Sequence, residues 1–313
     1  MNTRHATGNQ IHATESVPGS WTKCLRGEKP GVSILLIAQT SDEPFNGTEI
    51  IRRLNGIKSL KIASGTLLCH CFDDSVSSDE LAEFEKKHGV FDIIIELKPT
   101  PFHFSHLPQV TTTLADSKMQ DIAHEFGAPV LINQTQSPTR LRAAIHNPKA
   151  KWLAYELGQS VHTNALSVWA GVKGLLNVMA YLGMIDCALS RVGNTEPFVA
   201  YCNQWVHART SGIIHENGKI ALNAIVEAGQ TLATIEDSEN GLKHPIVATM
   251  SGMIIGKQNS HSVNVNSPIF HIASIAKPVT PQQKIAQINQ DYYPKTSGET
   301  FPLQVPFIFG FVA

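Results

Sequence analysis

The run "VFDIIIEL", Val90 to Leu97, constrains the fold more than any other stretch of this chain. A short, nearly continuous apolar run marks a strand buried on both faces. Such strands need helices packed above and below the sheet. "VSILLIA" (Val32–Ala38) and "APVLIN" (Ala128–Asn133) have the same texture, and "GTLLCHC" (Gly65–Cys71) and "AKWLAYELG" (Ala150–Gly158) also read as strands. Between them lie helical patterns. Thr48–Leu54 puts Ile50, Ile51 and Leu54 on one side, and "SSDELAEFEKKHG" has a Ser78 or Asp79 cap and a Gly89 stop. "ADSKMQDIAHEFG" and "RLRAAIHN" are helical too, as is the long "NALSVWAGVKGLLNVMAYLGM", whose apolar face is wide and which ends near Gly183. The alternation predicts an α/β fold: a mixed, largely parallel central sheet with helices on both faces.

The texture changes after about residue 198. Short β-rich runs separated by Gly, Asn and Ser turns predict a small all-β, barrel-like C-terminal domain. Residues 1–20 are polar and read as a flexible tail. The expected organisation is a tail over 1–20, an α/β domain over 21–197, an all-β domain over 198–275 and a C-terminal extension over 276–313.

Composition narrows the partners. Lys+Arg 25 against Asp+Glu 26 gives a net charge of -1, with no basic cluster, so nucleic acid is not the expected partner. Five cysteines make no disulfide framework and suit a reducing compartment. The N-terminus lacks the apolar core of a signal peptide, and no run reaches the roughly 18 apolar residues of a membrane span. A cytoplasmic protein with a small-molecule ligand is the expectation. In "CHC", strand alternation sends Cys69 and Cys71 to one face and His70 to the other, which favours buried cysteines over a metal site.

Several pieces, in order, resemble the succinylglutamate desuccinylase/aspartoacylase family, which has a zinc carboxypeptidase-like fold. "TSDEPFNGTEIIRRL" stands where the family has a His-Gly-Asp-Glu turn leading into a Gly-led helix. "IIIELKPT" stands at its Asp-Leu-His strand end, and "AYELGQS…GVKGLLNVMAYLGM" at its Glu-x-Gly and Leu-Gly-Met. "EAGQTLATIEDSENG" and "ATMSGMIIG" match its closing β domain. The resemblance implies metal-dependent hydrolysis of the amide bond of N-acyl amino acids. There, two histidines and a glutamate hold zinc, and a second glutamate is general base and acid.

Carried over residue by residue, the metal-ligand Glu falls on Glu43 and the catalytic Glu on Glu156. The two zinc histidines fall on Thr40 and Lys98, a poor ligand and a cation. The insertion that carries the family's substrate-clamping Asn and Arg is missing, because only Phe72 to Gly89 fills that space. Arg142 lies near the family's pocket and is the candidate substrate-binding residue; as one of a helix's surface arginines it has a blander reading.

Three functional readings follow. In the first, the chain is a degenerate homologue that binds a small molecule or partner, with Lys98 pairing Glu156 where the metal stood and no zinc bound. In the second, it is an active zinc-dependent amide or ester hydrolase whose metal site is rebuilt from Glu43 and nearby histidines: His103, His106 or His162. These histidines otherwise read as surface or loop residues. The third is a carrier or interaction module on the lipoyl-like β domain, for which Lys243 in "DSENGLKH" lacks the flanking residues of a modified lysine.

Overall fold

The computed structural model describes residues 12–17, 20–39, 46–72, 83–84, 86–100, 103–134, 149–158, 165–186, 196–216 and 220–274. The first part of the chain comprises β1 (His12–Val17), β2 (Ser20–Arg26), β3 (Lys29–Gln39), α1 (Asn46–Gly56), β4 (Ser64–Phe72), β5 (Ile93–Lys98), β6 (Phe104–His106), β7 (Gln109–Thr112), α2 (Ser117–Phe126), β8 (Val130–Asn133), β9 (Lys151–Glu156), α3 (Ala165–Tyr181) and β10 (Phe198–Ala200). Eight strands follow: β11 (Asn203–His207), β12 (Gly212–Glu216), β13 (Ile225–Val226), β14 (Thr231–Asp237), β15 (Lys243–Val247), β16 (Gly252–Gln258), β17 (Ser262–Val263) and β18 (Pro268–Ala273).

Nine strands form the central sheet in the order β1-β2-β4-β3-β5-β9-β7-β8-β10. The sheet is mixed. β4, β3, β5 and β9 run parallel, as do β7, β8 and β10, but β7 is antiparallel to β9 and β2 is antiparallel to β4. Alternation sorts the central strands between two cores. Ile34, Leu36, Cys69, Cys71, Ile93, Ile95 and Leu97 join α1, α2 and α3 on one face. Leu35, Ile37, Leu68, Ile94, Trp152 and Ala154 form the other core, against which Phe84 packs. Phe84 belongs to a helical stretch over the described residues of 83–88, so helical chain lies on both faces, with the three longer helices together on one.

Local chemistry explains the helix ends. Asp116 caps α2 by accepting a hydrogen bond from the Met119 backbone N–H, and Gly127 closes it at φ 74°, the left-handed region that glycine enters without strain. Gly183, at φ 69°, follows α3 in the same way.

The expected tail over 1–20 is corrected in part. His12–Val17 is a strand paired antiparallel with β2. Its order comes from backbone hydrogen bonds to a neighbour, which polarity does not signal. β10, just past residue 197, belongs to the central sheet.

The remaining strands form two sheets, β11-β18-β16-β13 with β6 on β16, and β15-β14-β12-β17. Ile214, Val226, Leu232, Ile235, Ile254, Phe270 and Ile272 share one core there. β6 therefore crosses from the first part of the chain into the second lobe, through pairs such as His106 with Gly256. None of the described helices is long and apolar enough to cross a membrane.

The cysteines follow the alternation. Cys69 and Cys71 are buried, while His70 faces the other way and shares a 2.9 Å hydrogen bond with Thr22 Oγ1. Burial pushes the Cys69 thiol up to about 12 and raises Cys71 as well. In the folded protein at pH 8, a maleimide is expected to modify exposed Cys202 and to leave Cys69 and Cys71 intact until denaturant is added. Peptide mass spectrometry reads this directly; early labelling of Cys69 would contradict the register.

Candidate functional site

Three neighbouring strands bring the polar cluster together. Lys98 ends β5 and Glu156 ends β9, and the parallel register sets them opposite each other. Gln109 begins β7, and the antiparallel register sets it opposite the same Glu156. Residues paired across adjacent strands project from the same face, with the strands only about 5 Å apart. The row Lys98–Glu156–Gln109 is therefore a product of register.

Every side-chain partner is within hydrogen-bond reach. Lys98 Nζ donates to Glu156 Oε1 at 3.1 Å. Gln109 Nε2 donates to Glu156 Oε2 at 2.6 Å. His106 Nδ1 lies 3.2 Å from the same Oε2. The Glu156 side chain is 15% exposed, that of His106 6% and that of Lys98 42%. Burial by itself pushes the Glu156 carboxyl up. The His106 hydrogen bond, the Lys98 charge and Gln109 outweigh it and hold the group well below the usual carboxylate range. In turn the Glu156 charge raises the Lys98 ammonium, against the opposing effect of its partial burial. Glu156 is thus a carboxylate and only accepts, so His106 donates through Nδ1–H.

Behind His106 stands an aromatic group from the second lobe. His271 stacks on Trp205 with ring centres 4.5 Å apart and planes at 11°. Its Nε2 donates to Asn203 Oδ1 at 2.8 Å. His106 lies 5.7 Å from Trp205 and 6.3 Å from His271, centre to centre. Burial, helped by the neighbouring His106, lowers His271 to about 4, so it is neutral at pH 7.

By sequence the chain matches no family model and no curated protein. By structure it is similar to the apo ectoine utilization protein EutE (DoeB) from Ruegeria pomeroyi, with a TM-score of 0.71 at 14% identity over 85% of this chain and 100% of that one. It is similar to a succinylglutamate desuccinylase/aspartoacylase from Rhodobacter sphaeroides, with a TM-score of 0.65 at 14% identity over 83% of this chain and 89% of that one. An aspartoacylase family protein from Mesorhizobium loti gives 0.63 at 13% identity over 87% and 100%. The chain has the fold of the succinylglutamate desuccinylase/aspartoacylase proteins. Resemblance in ordered sequence pieces and similarity in space lead independently to this fold.

On that fold, the sequence-derived site residues divide. Lys98 and Glu156 come together. Thr40, Glu43, Arg142 and His162 lie outside the described residues. His103 is exposed in a turn. His106 is neither a surface nor a loop histidine, which corrects the bland reading. It lies on β6 and is buried, because β6 is held by β16. Gln109 is not legible as a site residue in the sequence. "PQVTTT" carries no signal that β7 inserts antiparallel beside β9.

The described members of the cluster do not by themselves make up a zinc ligand set, which takes three protein ligands. Among the described residues no group of three His, Cys, Asp or Glu side chains is arranged to hold a metal. The position where the resemblance places a zinc histidine carries an ammonium, and its raised pKa keeps it charged.

Proposed function

We propose that this protein is a member of the desuccinylase/aspartoacylase family that has exchanged zinc hydrolysis for binding, and that its ligand is a small molecule with an anionic group. The observation that carries the reading is the Lys98–Glu156 pair at 3.1 Å. A general base must have a lone pair available for the proton it removes. Here Gln109 and His106 occupy both lone pairs of one Glu156 oxygen, and the lone pair left on the other lies beside an ammonium. A carboxylate held well below its usual pKa is also a weak base. The ligand class follows from exposure: Lys98 is the member of the cluster that most faces solvent, so an incoming group meets positive charge first.

Metal content tests the proposal. After dialysis of the full chain against a weak chelator, plasma mass spectrometry is expected to find far less than one zinc per chain. About one zinc per chain, together with hydrolysis of an N-acyl amino acid that a strong chelator abolishes, would overturn it.

The pair also has a stability signature. Lys98→Ala is expected to lower stability by about 1–2 kcal/mol, less than the 3–5 typical of a fully buried pair, because Glu156 keeps two hydrogen bonds and Lys98 is partly hydrated. Urea unfolding measures it, and no change would remove the pair from the argument.

A further inference from the structure

Within the cluster, His106 is the member that comes from the second lobe's side of the junction. Its one polar anchor among the described residues is Glu156. The other ring nitrogen, Nε2, is buried and has no hydrogen-bond partner among them. A ring with a single polar anchor needs a steric seat to stay aligned. The seat is visible at Gly256 of β16. A Cβ built there would lie 2.6 Å from His106 Cδ2 and 3.0 Å from Nε2, with His271 Cβ next at 3.1 Å. Real Cβ contacts do not come as near as the first of these, so any larger residue at 256 displaces the ring. The ring has little room to step aside. Trp205 and His271 stand beyond it, and its own backbone is held by β16, with Leu107 N–H donating to Ile255 O at 2.9 Å.

We propose that Gly256 is a positioning residue that seats His106 against Glu156, so that the second lobe supplies one of the three groups that orient the Glu156 carboxylate. The inference deepens the reading of the site as a metal-free polar cluster and rests on it. Glu156 then takes Lys98 and Gln109 from the central sheet and its third partner from the other lobe, and a displacement of β16 reaches the site through one imidazole.

The test is a double-mutant cycle on the full chain at pH 7.5 with Gly256→Ala and His106→Ala, read by urea midpoint and by the proton spectrum of the ring N–H groups. The wild-type protein is expected to show a slowly exchanging His106 Nδ1–H resonance, identified by its loss in His106→Ala. Gly256→Ala is expected to lose that resonance and lower the midpoint. In the His106→Ala background the same substitution is expected to move the midpoint far less, because the ring it collides with is gone. If Gly256→Ala does not fold, the double variant is expected to fold again. Retention of the resonance in folded Gly256→Ala, additive midpoints, or failure of the double variant to fold would each overturn the proposal. Zinc content leaves these readouts untouched, so failure here is distinguishable from failure of the binding reading.

Discussion

Glu156→Ala is expected to destabilise the protein by about 3–5 kcal/mol, the range for removing one member of a buried charged cluster. Three groups lose their partner at once. Gln109 is 1% exposed, and its amide N–H would have no acceptor left. A stranded buried polar group costs about 1–3 kcal/mol. His106 loses its one polar anchor among the described residues, and Lys98 loses its counter-charge. Lys98 relocates into water at small cost, so most of the penalty comes from Gln109 and His106. Glu156→Gln keeps an acceptor and the volume and is expected to cost less. The sign matters for function. A carboxylate retained for chemistry sits in a site that is strained for that purpose, and its removal often stabilises. Urea unfolding of the two variants decides: loss of stability places Glu156 in the architecture, whereas a gain would indicate a group kept for catalysis.

The second large effect is acid sensitivity. His70 and His271 are both lowered from 6.5 to about 4, mainly by burial. The folded state keeps them neutral while the unfolded state takes up protons first. Stability is therefore full above pH 6.5 and falls as pH drops from 6.5 to about 4, by up to about 3 kcal/mol for each ring. Glu156 has the depressed pKa of a paired carboxylate. Its contribution is present above pH 4.5 and is lost only as pH falls further. The two windows separate the causes. Charged groups around the rings reinforce the first: His88 bears on His70, and His106 and Lys98 on His271, with Glu156 opposing. Unfolding free energy measured from pH 7.5 to 4.5 is expected to fall steeply, and His271→Gln is expected to flatten the slope. A flat profile over that range would mean that neither ring is held neutral.

The site was half legible in the sequence. Glu156 was legible because the resemblance puts the catalytic glutamate there, and Lys98 because it puts a cation where a zinc ligand belongs. Their contact needed only two parallel strands of known register. Gln109 and His106 were not legible in this role. The first depends on β7 entering antiparallel next to β9, and the second on three residues of β6 leaving to pair with β16. Neither event leaves a periodic trace in "FHFSHLPQVTTT".

The same division holds for the whole molecule. Burial on both sides of "VSILLIA" and "VFDIIIEL", the Asp116 and Gly127 ends of α2, the alternation in "CHC" and the change to β structure after 198 are local, because periodicity and caps act over a few residues. Strand order, the hairpin that draws His12–Val17 into the sheet, and the crossing of β6 into the second lobe are long-range pairings made by backbone groups that every residue shares. Side-chain sequence therefore named the carboxylate and the cation, and tertiary structure chose which imidazole and which amide surround them.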